Sequence, residues 1–255
     1  MACLCLCALK KYNYLMEKEK ENADGRILRI AVCGMNGRMG RAVIEEIRKS
    51  AFAEFAGGAD LATPAAEFEK ILEKADAVID FSAKAATALY ARQCADAGVP
   101  FLSGVTGLDS DSFSVLRESG KKIPVLWSPN MSVAVNLSMA VCAYLAKKLP
   151  GFDISVSEIH HKAKKDSPSG TAINYAKAIN AACGKMPAIS SCRIGSETGT
   201  HTVYFGGPYE MLEITHRAGN RSLFASGAVC AAKWLAWQKP RYYSFADMLG
   251  VNELA

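Results

Sequence analysis

The feature that most constrains this chain is a glycine-rich loop placed between a strand-like run and a helix-like run. Arg26-Ile-Leu-Arg-Ile-Ala-Val-Cys33 is short, apolar and rich in β-formers. Gly34-Met-Asn-Gly-Arg-Met-Gly40 follows. Residues 41–49 then place Ala42, Val43, Ile44 and Ile47 near one side of a helix. Strand, glycine turn and helix together form the context of a dinucleotide-binding fingerprint. In that reading Gly34 makes the tight turn and Gly37 lets the backbone approach a pyrophosphate. Gly40 lets the helix lie close to the strand, and the helix N-terminus favours the anion. Asn36 holds the middle position of the motif, so the strict G-x-G-x-x-G is absent, and an ordinary βα turn also fits this loop.

The same pattern recurs downstream. A second strand, Glu54–Ala59, ends at Asp60, 20 positions beyond Gly40, where an acidic residue is expected to meet a ribose 2′-hydroxyl. Residues 61–64 hold no Arg or Lys to meet a 2′-phosphate, so charge favours NADH over NADPH. The stretch between Asp60 and Asp76 is Ala-rich and reads as a trimmed connection. Further strands are expected at 77–81, 100–103 and 123–127, separated by helices at 85–97 and 109–119. Each strand ends in small or polar residues, and in a doubly wound sheet such ends line the ligand crevice. The expected cofactor-side residues are therefore Gly34, Met35, Asn36, Gly37, Arg38, Met39, Asp60, Phe81, Ser82, Gly104, Val105, Thr106, Ser128, Pro129, Asn130 and Met131.

A second signal follows a long apolar helix expected at 134–148. Asp153-Ile-Ser-Val-Ser-Glu-Ile-His160 alternates as a half-buried strand. It leads into His161-Lys-Ala-Lys-Lys-Asp-Ser-Pro-Ser-Gly-Thr171 and a helix over 172–182. Ser169, Gly170 and Thr171 stand at that helix's N-terminus, where free amides and the dipole attract anions. Two histidines, nearby lysines and this helix start suit a carboxylate or phosphate, and histidine can donate a proton near neutral pH. A structural histidine, a solvated lysine run and a simple helix cap are the plainer readings of the same residues. No zinc site is expected, because no cysteine or carboxylate stands at ligand spacing.

Composition narrows the classes further. Half of the 255 residues are apolar and 22% are charged, enough for a real core. No run of about 18 apolar residues occurs, which excludes a spanning helix. Thirty basic against 25 acidic residues give a net charge of +5, too mild to imply nucleic acid. Nine cysteines, none in C-x-x-C, read as buried reduced thiols in a cytoplasmic protein. Residues 1–26 combine an apolar Cys3/Cys5/Cys7 stretch with the charged run Glu17-Lys-Glu-Lys-Glu21. They match neither a secretory signal nor a transit peptide and are expected to be a disordered or mis-assigned extension.

The segment Glu158-Ile-His-His-Lys-Ala-Lys-Lys-Asp-Ser-Pro-Ser-Gly-Thr-Ala172 closely resembles the signature of the 4-hydroxy-tetrahydrodipicolinate reductase (dihydrodipicolinate reductase) family. The Gly34–Gly40 loop, Gly104-Val-Thr-Gly107, Ser128-Pro-Asn-Met-Ser132 and Thr215–Ala228 resemble that family's other motifs. The resemblance implies an α/β fold: a Rossmann-type nucleotide domain plus an α+β substrate and oligomerisation domain with a mixed sheet. It implies reduction of a small cyclic dicarboxylate by NADH or NADPH in lysine and diaminopimelate synthesis. By the family's pattern His160 is the proton donor and Lys164 its cationic partner. His161, Ser169, Gly170 and Thr171 bind the substrate carboxylates. Asn36, Val105 and Pro129 depart from the family's usual residues. The expected division is a nucleotide domain at 27–131, a substrate domain at 132–226 and a segment at 227–255 that returns to the first domain. Two domains around a cleft imply hinge closure, and the family implies a homotetramer.

Overall fold

The computed structural model describes residues 26–251. Expectations for residues 1–25, including Cys3, Cys5 and Cys7, lie outside the described residues. The chain divides into two compact units, one of residues 26–132 with Phe224–Leu249, the other of Val133–Leu223.

The first unit is a six-stranded parallel sheet with the order β2-β1-β3-β4-β5-β10. Its strands are β1 (Leu28–Cys33), β2 (Ala53–Ala59), β3 (Ala77–Asp80), β4 (Phe101–Ser103), β5 (Pro124–Trp127) and β10 (Arg241–Tyr243). The helices are α1 (Arg38–Lys49), α2 (Ala65–Leu72), α3 (Lys84–Ala97), α4 (Ser110–Ser119), α7 (Ser222–Leu235) and α8 (Phe245–Leu249). Parallel strands need crossover helices, which cover both faces, so the strands are apolar on both sides. Ile30, Ala31, Val32 and Cys33 accordingly have no exposed surface. Ala31, Cys33, Val78, Phe101 and Val125 pack with Phe68 of α2, Tyr90 and Cys94 of α3, and Leu116 of α4. Asp109 caps α4 by accepting from the Ser112 N–H at 2.8 Å, and Gly98 ends α3 at a φ of +73° that suits glycine.

Two features differ from the sequence reading. The stretch after Asp60 is no trimmed loop: it forms α2, whose Phe68 and Leu72 are buried. The helix has only eight residues, and its alanines dilute the apolar period. β10 and α8 were not anticipated either. A three-residue strand owes its existence to its partner, here β5, and carries little local signal.

The second unit is a four-stranded mixed sheet with the order β7-β6-β8-β9. β6 (Asp153–His160) runs parallel to β7 (Ala188–Arg193) and antiparallel to β8 (Thr200–Gly206), which pairs antiparallel with β9 (Met211–Arg217). α5 (Val133–Lys148) and α6 (Gly170–Cys183) cover one face. There Val135, Cys142 and Ala146 of α5 meet Tyr175 and Ile179 of α6, Val156 of β6 and Phe205 of β8. Cys33, Cys94 and Cys142 are buried, but Cys192 is exposed, against the reading of its thiol as buried.

Candidate active site

Each unit gathers one set of polar groups. In the first unit the order of strands reverses between β1 and β3, the switch point where such sheets bind ligands. Register places Cys33 opposite both Ala59 and Asp80, so the Gly34 loop leaves the sheet between Asp60 and Phe81. The Gly34 N–H donates to Ala59 O at 2.7 Å and the Phe81 N–H to Cys33 O at 3.0 Å. The Gly104 N–H donates to Asp80 O at 2.9 Å and the Ser128 N–H to Ser103 O at 3.1 Å. The five strand-end segments named from the sequence thus line one edge.

The glycines there are dictated by contact. Gly34 turns at a φ of +78°, and a Cβ on Gly40 would stand 2.0 Å from Gly34 O. Helix α1 therefore starts hard against the loop. Its cap, Gly37, offers no side chain to the free amides, and its first turn holds no acidic residue. Such an uncapped N-terminus fits a pyrophosphate. Asn36, the departure from the motif, has a local role: its side-chain amide and its backbone N–H both donate to Oδ2 of Asp60. That pair holds Asp60 at the tip of β2.

Behind the edge lies Asp80, which is fully buried and which the sequence reading left out. Its carboxylate accepts from the Ser82 N–H at 2.9 Å, Thr87 Oγ1 at 2.9 Å and Ser103 Oγ at 3.0 Å. Burial pushes its pKa up against these donors. It ties the ends of β3 and β4 to α3. Trp127 pins the next loop by donating from Nε1 to Val105 O at 2.8 Å. The Phe81 ring lies against Gly104, where a Cβ would stand 2.3 Å from Cε1.

In the second unit the end of β6 carries His160, only 8% exposed. Its chain continues through His161, whose N–H donates to Glu197 O at 2.7 Å. The loop folds back: the Lys164 N–H donates to His161 O at 3.1 Å and Lys164 Nζ lies 2.8 Å from Asp166 Oδ1. The loop ends at Ser169, whose hydroxyl caps α6 by accepting from the Ala172 N–H at 3.2 Å. The first turn of α6 has no acidic residue, and a Cβ on Gly170 would meet nothing within 4 Å. His160, Lys164 and the α6 N-terminus thus belong to one strand–loop–helix passage. Burial lowers the pKa of His160, with Lys164 and Arg193 adding to the fall and Glu158 opposing it.

Three neighbours escaped the sequence reading. Glu158, inside the quoted signature, contacts His160 Nδ1. Its signal was available: residues two apart on a strand share a face. Arg193 of β7 and His201 of β8 reach the site only through strand pairing, which leaves no local trace. The His201 ring lies edge-on to His160 at 5.0 Å, with Nε2 3.0 Å from Ser169 Oγ. Burial pulls its pKa down to about 4.

Among the described residues no group of His, Cys, Asp and Glu could hold a metal, and no helix is long and apolar enough to cross a membrane.

Comparison with known proteins agrees with this geometry. Residues 28–131 match the model of the dihydrodipicolinate reductase N-terminus and residues 134–249 that of its C-terminus. The 4-hydroxy-tetrahydrodipicolinate reductase of Myxococcus xanthus is 36% identical, across 88% of this chain and 98% of its own. That of Methanocorpusculum labreanum is 34% identical, across 88% of this chain and 100% of its own. A dipicolinate-bound dihydrodipicolinate reductase from Paenisporosarcina shares the fold with a TM-score of 0.77 at 19% identity, covering 87% of this chain and 98% of that one. An aspartate semialdehyde dehydrogenase from Vibrio cholerae shares it more loosely, with a TM-score of 0.53 at 11% identity, covering 82% and 98%. Two family models that together span nearly all of the described residues, and relatives matched over almost their full length, show that this chain belongs to the dihydrodipicolinate reductase family.

Proposed function

We infer that this chain reduces 4-hydroxy-tetrahydrodipicolinate to tetrahydrodipicolinate with a reduced nicotinamide cofactor, a step of diaminopimelate and lysine synthesis. The observation that carries the reading is the passage from His160 through Lys164 to the α6 N-terminus. It sets a proton donor, a cation and a helix N-terminus along one strand end. The first unit supplies the nucleotide side: the α1 N-terminus for the pyrophosphate, Asp60 for a ribose, and the Phe81–Ser82, Gly104–Thr106 and Ser128–Met131 segments for the rest of the dinucleotide.

Loss of the C4 hydroxyl as water leaves a conjugated ring imine, and reduced nicotinamide, when bound, would supply the hydride that adds at C4. Electron density then moves toward the ring nitrogen. In this reading His160 gives a proton to meet that charge, and the Lys164 ammonium stabilises it electrostatically. His161, Ser169, Gly170 and Thr171 bind the two carboxylates at a helix start whose first turn holds no acidic residue.

The cofactor preferred is NADH. Asp60 is held at the β2 tip by Asn36, and residues 61–64 carry no cation for a 2′-phosphate. The proposed assembly is a homotetramer built on the second unit's sheet, supported by the exposed Met211 and Leu212 of β9. The proposed location is the cytoplasm. The test is oxidation of NADH and NADPH, followed by nicotinamide absorbance. The substrate is generated in place from pyruvate and aspartate semialdehyde by the preceding synthase. Turnover faster with NADH is expected. Tight nucleotide binding with no turnover would overturn the reading.

A further inference from the structure

An ion pair between the buried Glu158 and the half-buried Arg193 stands behind His160 and has no part in holding substrate or cofactor in the reading above. Glu158 precedes His160 by two residues on β6, so both side chains leave the same face of the strand. Its carboxylate has no exposed surface and, besides its contact with His160 Nδ1, accepts hydrogen bonds from residues of β7 and of the loop end. Arg193 donates from Nη1 to Oε2 at 2.9 Å and from Nη2 to Oε1 at 2.8 Å. The Ser169 N–H donates to Oε1 at 3.2 Å. Parallel pairing makes the fork possible, because Arg193 is the register partner of His160 and Ser191 that of Glu158. Arg193 is itself anchored by donating to Cys192 O at 2.8 Å and to Asp166 O at 2.6 Å. The clamp therefore joins β6, β7 and both ends of the His160–Ser169 loop.

Burying such a pair yields little stability, since desolvation offsets the attraction. What the arrangement does achieve is directional. A carboxylate held by a fork of two N–H groups cannot rotate, so it presents one fixed acceptor to Nδ1. On the opposite side of the ring Gly199 contributes no side chain, and a Cβ there would stand 2.8 Å from Nε2. One ring nitrogen is gripped and the space beside the other is kept free. The charged and titratable groups around His160 are Glu158 on β6, Arg193 on β7, Lys164 in the loop and His201 on β8. Glu158 is the anion among them, opposing two cations and a buried imidazole.

We propose that Glu158, fixed by Arg193, is a positioning residue for this reductase. It keeps a hydrogen on Nδ1 of His160, leaves Nε2 as the nitrogen that serves the substrate, and sustains the imidazolium that gives the proton. The Nε2–H bond breaks and the proton passes to the substrate nitrogen. The Nδ1–H stays against Glu158, and water restores the proton on Nε2. The inference rests on the reading of His160 as proton donor.

The experiment is nitrogen-15 NMR of histidine-labelled full-length protein. The chain has four histidines, and His160 is assigned by the signal lost in His160→Gln. Neutral His160 is expected as the Nδ1–H tautomer. In Glu158→Gln its titration midpoint is expected to fall by about one pH unit or more, because the anion that favours the charged form is gone. Turnover at neutral pH should drop about tenfold or more, with the KM for NADH unchanged. Glu158→Asp should recover part of both. An Nε2–H tautomer in the wild-type protein overturns the proposal, as does an unchanged titration midpoint in folded Glu158→Gln. If Glu158→Gln does not fold, Arg193→Lys keeps the charge but removes the fork, and an unchanged His160 signal there is equally fatal. The tautomer is read without substrate. A wild-type protein that shows Nδ1–H yet turns nothing over would refute the reductase reading and leave the clamp standing.

Discussion

Gly199 lies against the imidazole of His160, so close that a Cβ on Gly199 would stand 2.8 Å from Nε2. The glycine also sits at a φ of +155°, where side chains are strained. Gly199→Ala should therefore push the ring from its place and fill the space beside Nε2. The expected result is a loss of kcat of about tenfold or more, with NADH affinity kept because the groups proposed to hold the nucleotide belong to the other unit. Steady-state kinetics beside calorimetric NADH titration checks this, and full turnover in the variant would refute it.

His160→Gln separates chemistry from binding. If His160 is the proton donor, the variant should lose about 10²- to 10⁴-fold in turnover, while NADH binding changes little. If turnover and NADH affinity fall together, His160 is not the acid.

Asp60 is the residue on which the cofactor reading turns. Asp60→Ala should weaken NADH by about 1.5–3 kcal/mol, the range for a hydrogen bond to a charged group. NADPH should be affected less, since its 2′-phosphate would not miss a carboxylate. Unaltered NADH affinity in a binding titration would remove Asp60 from the ribose site.

Gly40→Ala tests the close approach of α1 to the loop. The added Cβ would meet Gly34 O at 2.0 Å and Met35 Cα at 2.8 Å, both on backbone. The helix must shift, and the expected destabilisation is about 3 kcal/mol or more. A lower melting temperature together with weaker nucleotide binding is expected. An unshifted melt would show that the loop yields at no cost.

His201 makes stability depend on pH. Burial holds its folded-state pKa at about 4, below the ordinary histidine value, and His160 and His216 shift the same way. The native state thus binds fewer protons than the unfolded chain in this range. Stability is complete above the unfolded pKa of about 6.5 and declines as pH falls toward 4, by about 3 kcal/mol from His201 alone. Denaturant unfolding from pH 7 to pH 4 measures it, and His201→Gln should flatten the decline. A slope unchanged by the substitution would show that other groups cause it.

The nucleotide unit was legible in the sequence because its signals are local. A strand, a glycine turn and a helix start are each written in adjacent residues. The series Cys33-Gly34, Ala59-Asp60, Phe81-Ser82 and Ser103-Gly104 announces strand ends without knowledge of their order. The same holds for His160, Lys164 and Ser169–Thr171, which a single passage of chain connects. Helix α2 and strand β10 were hidden, since a short element draws its stability from what it packs on.

Pairing across the sheets was what tertiary structure alone decided. Strand order put Gly34 between Asp60 and Phe81, and it gave Asn36 a partner 24 residues away. Register brought Arg193 to Glu158 across 35 residues and His201 to Ser169 across 32. Side-chain chemistry is fixed by residue type, so the sequence names the acids, bases and cations. Which of them touch, and so which pKa values move and which nitrogen of His160 is gripped, depends on hydrogen bonds between strands distant in the chain.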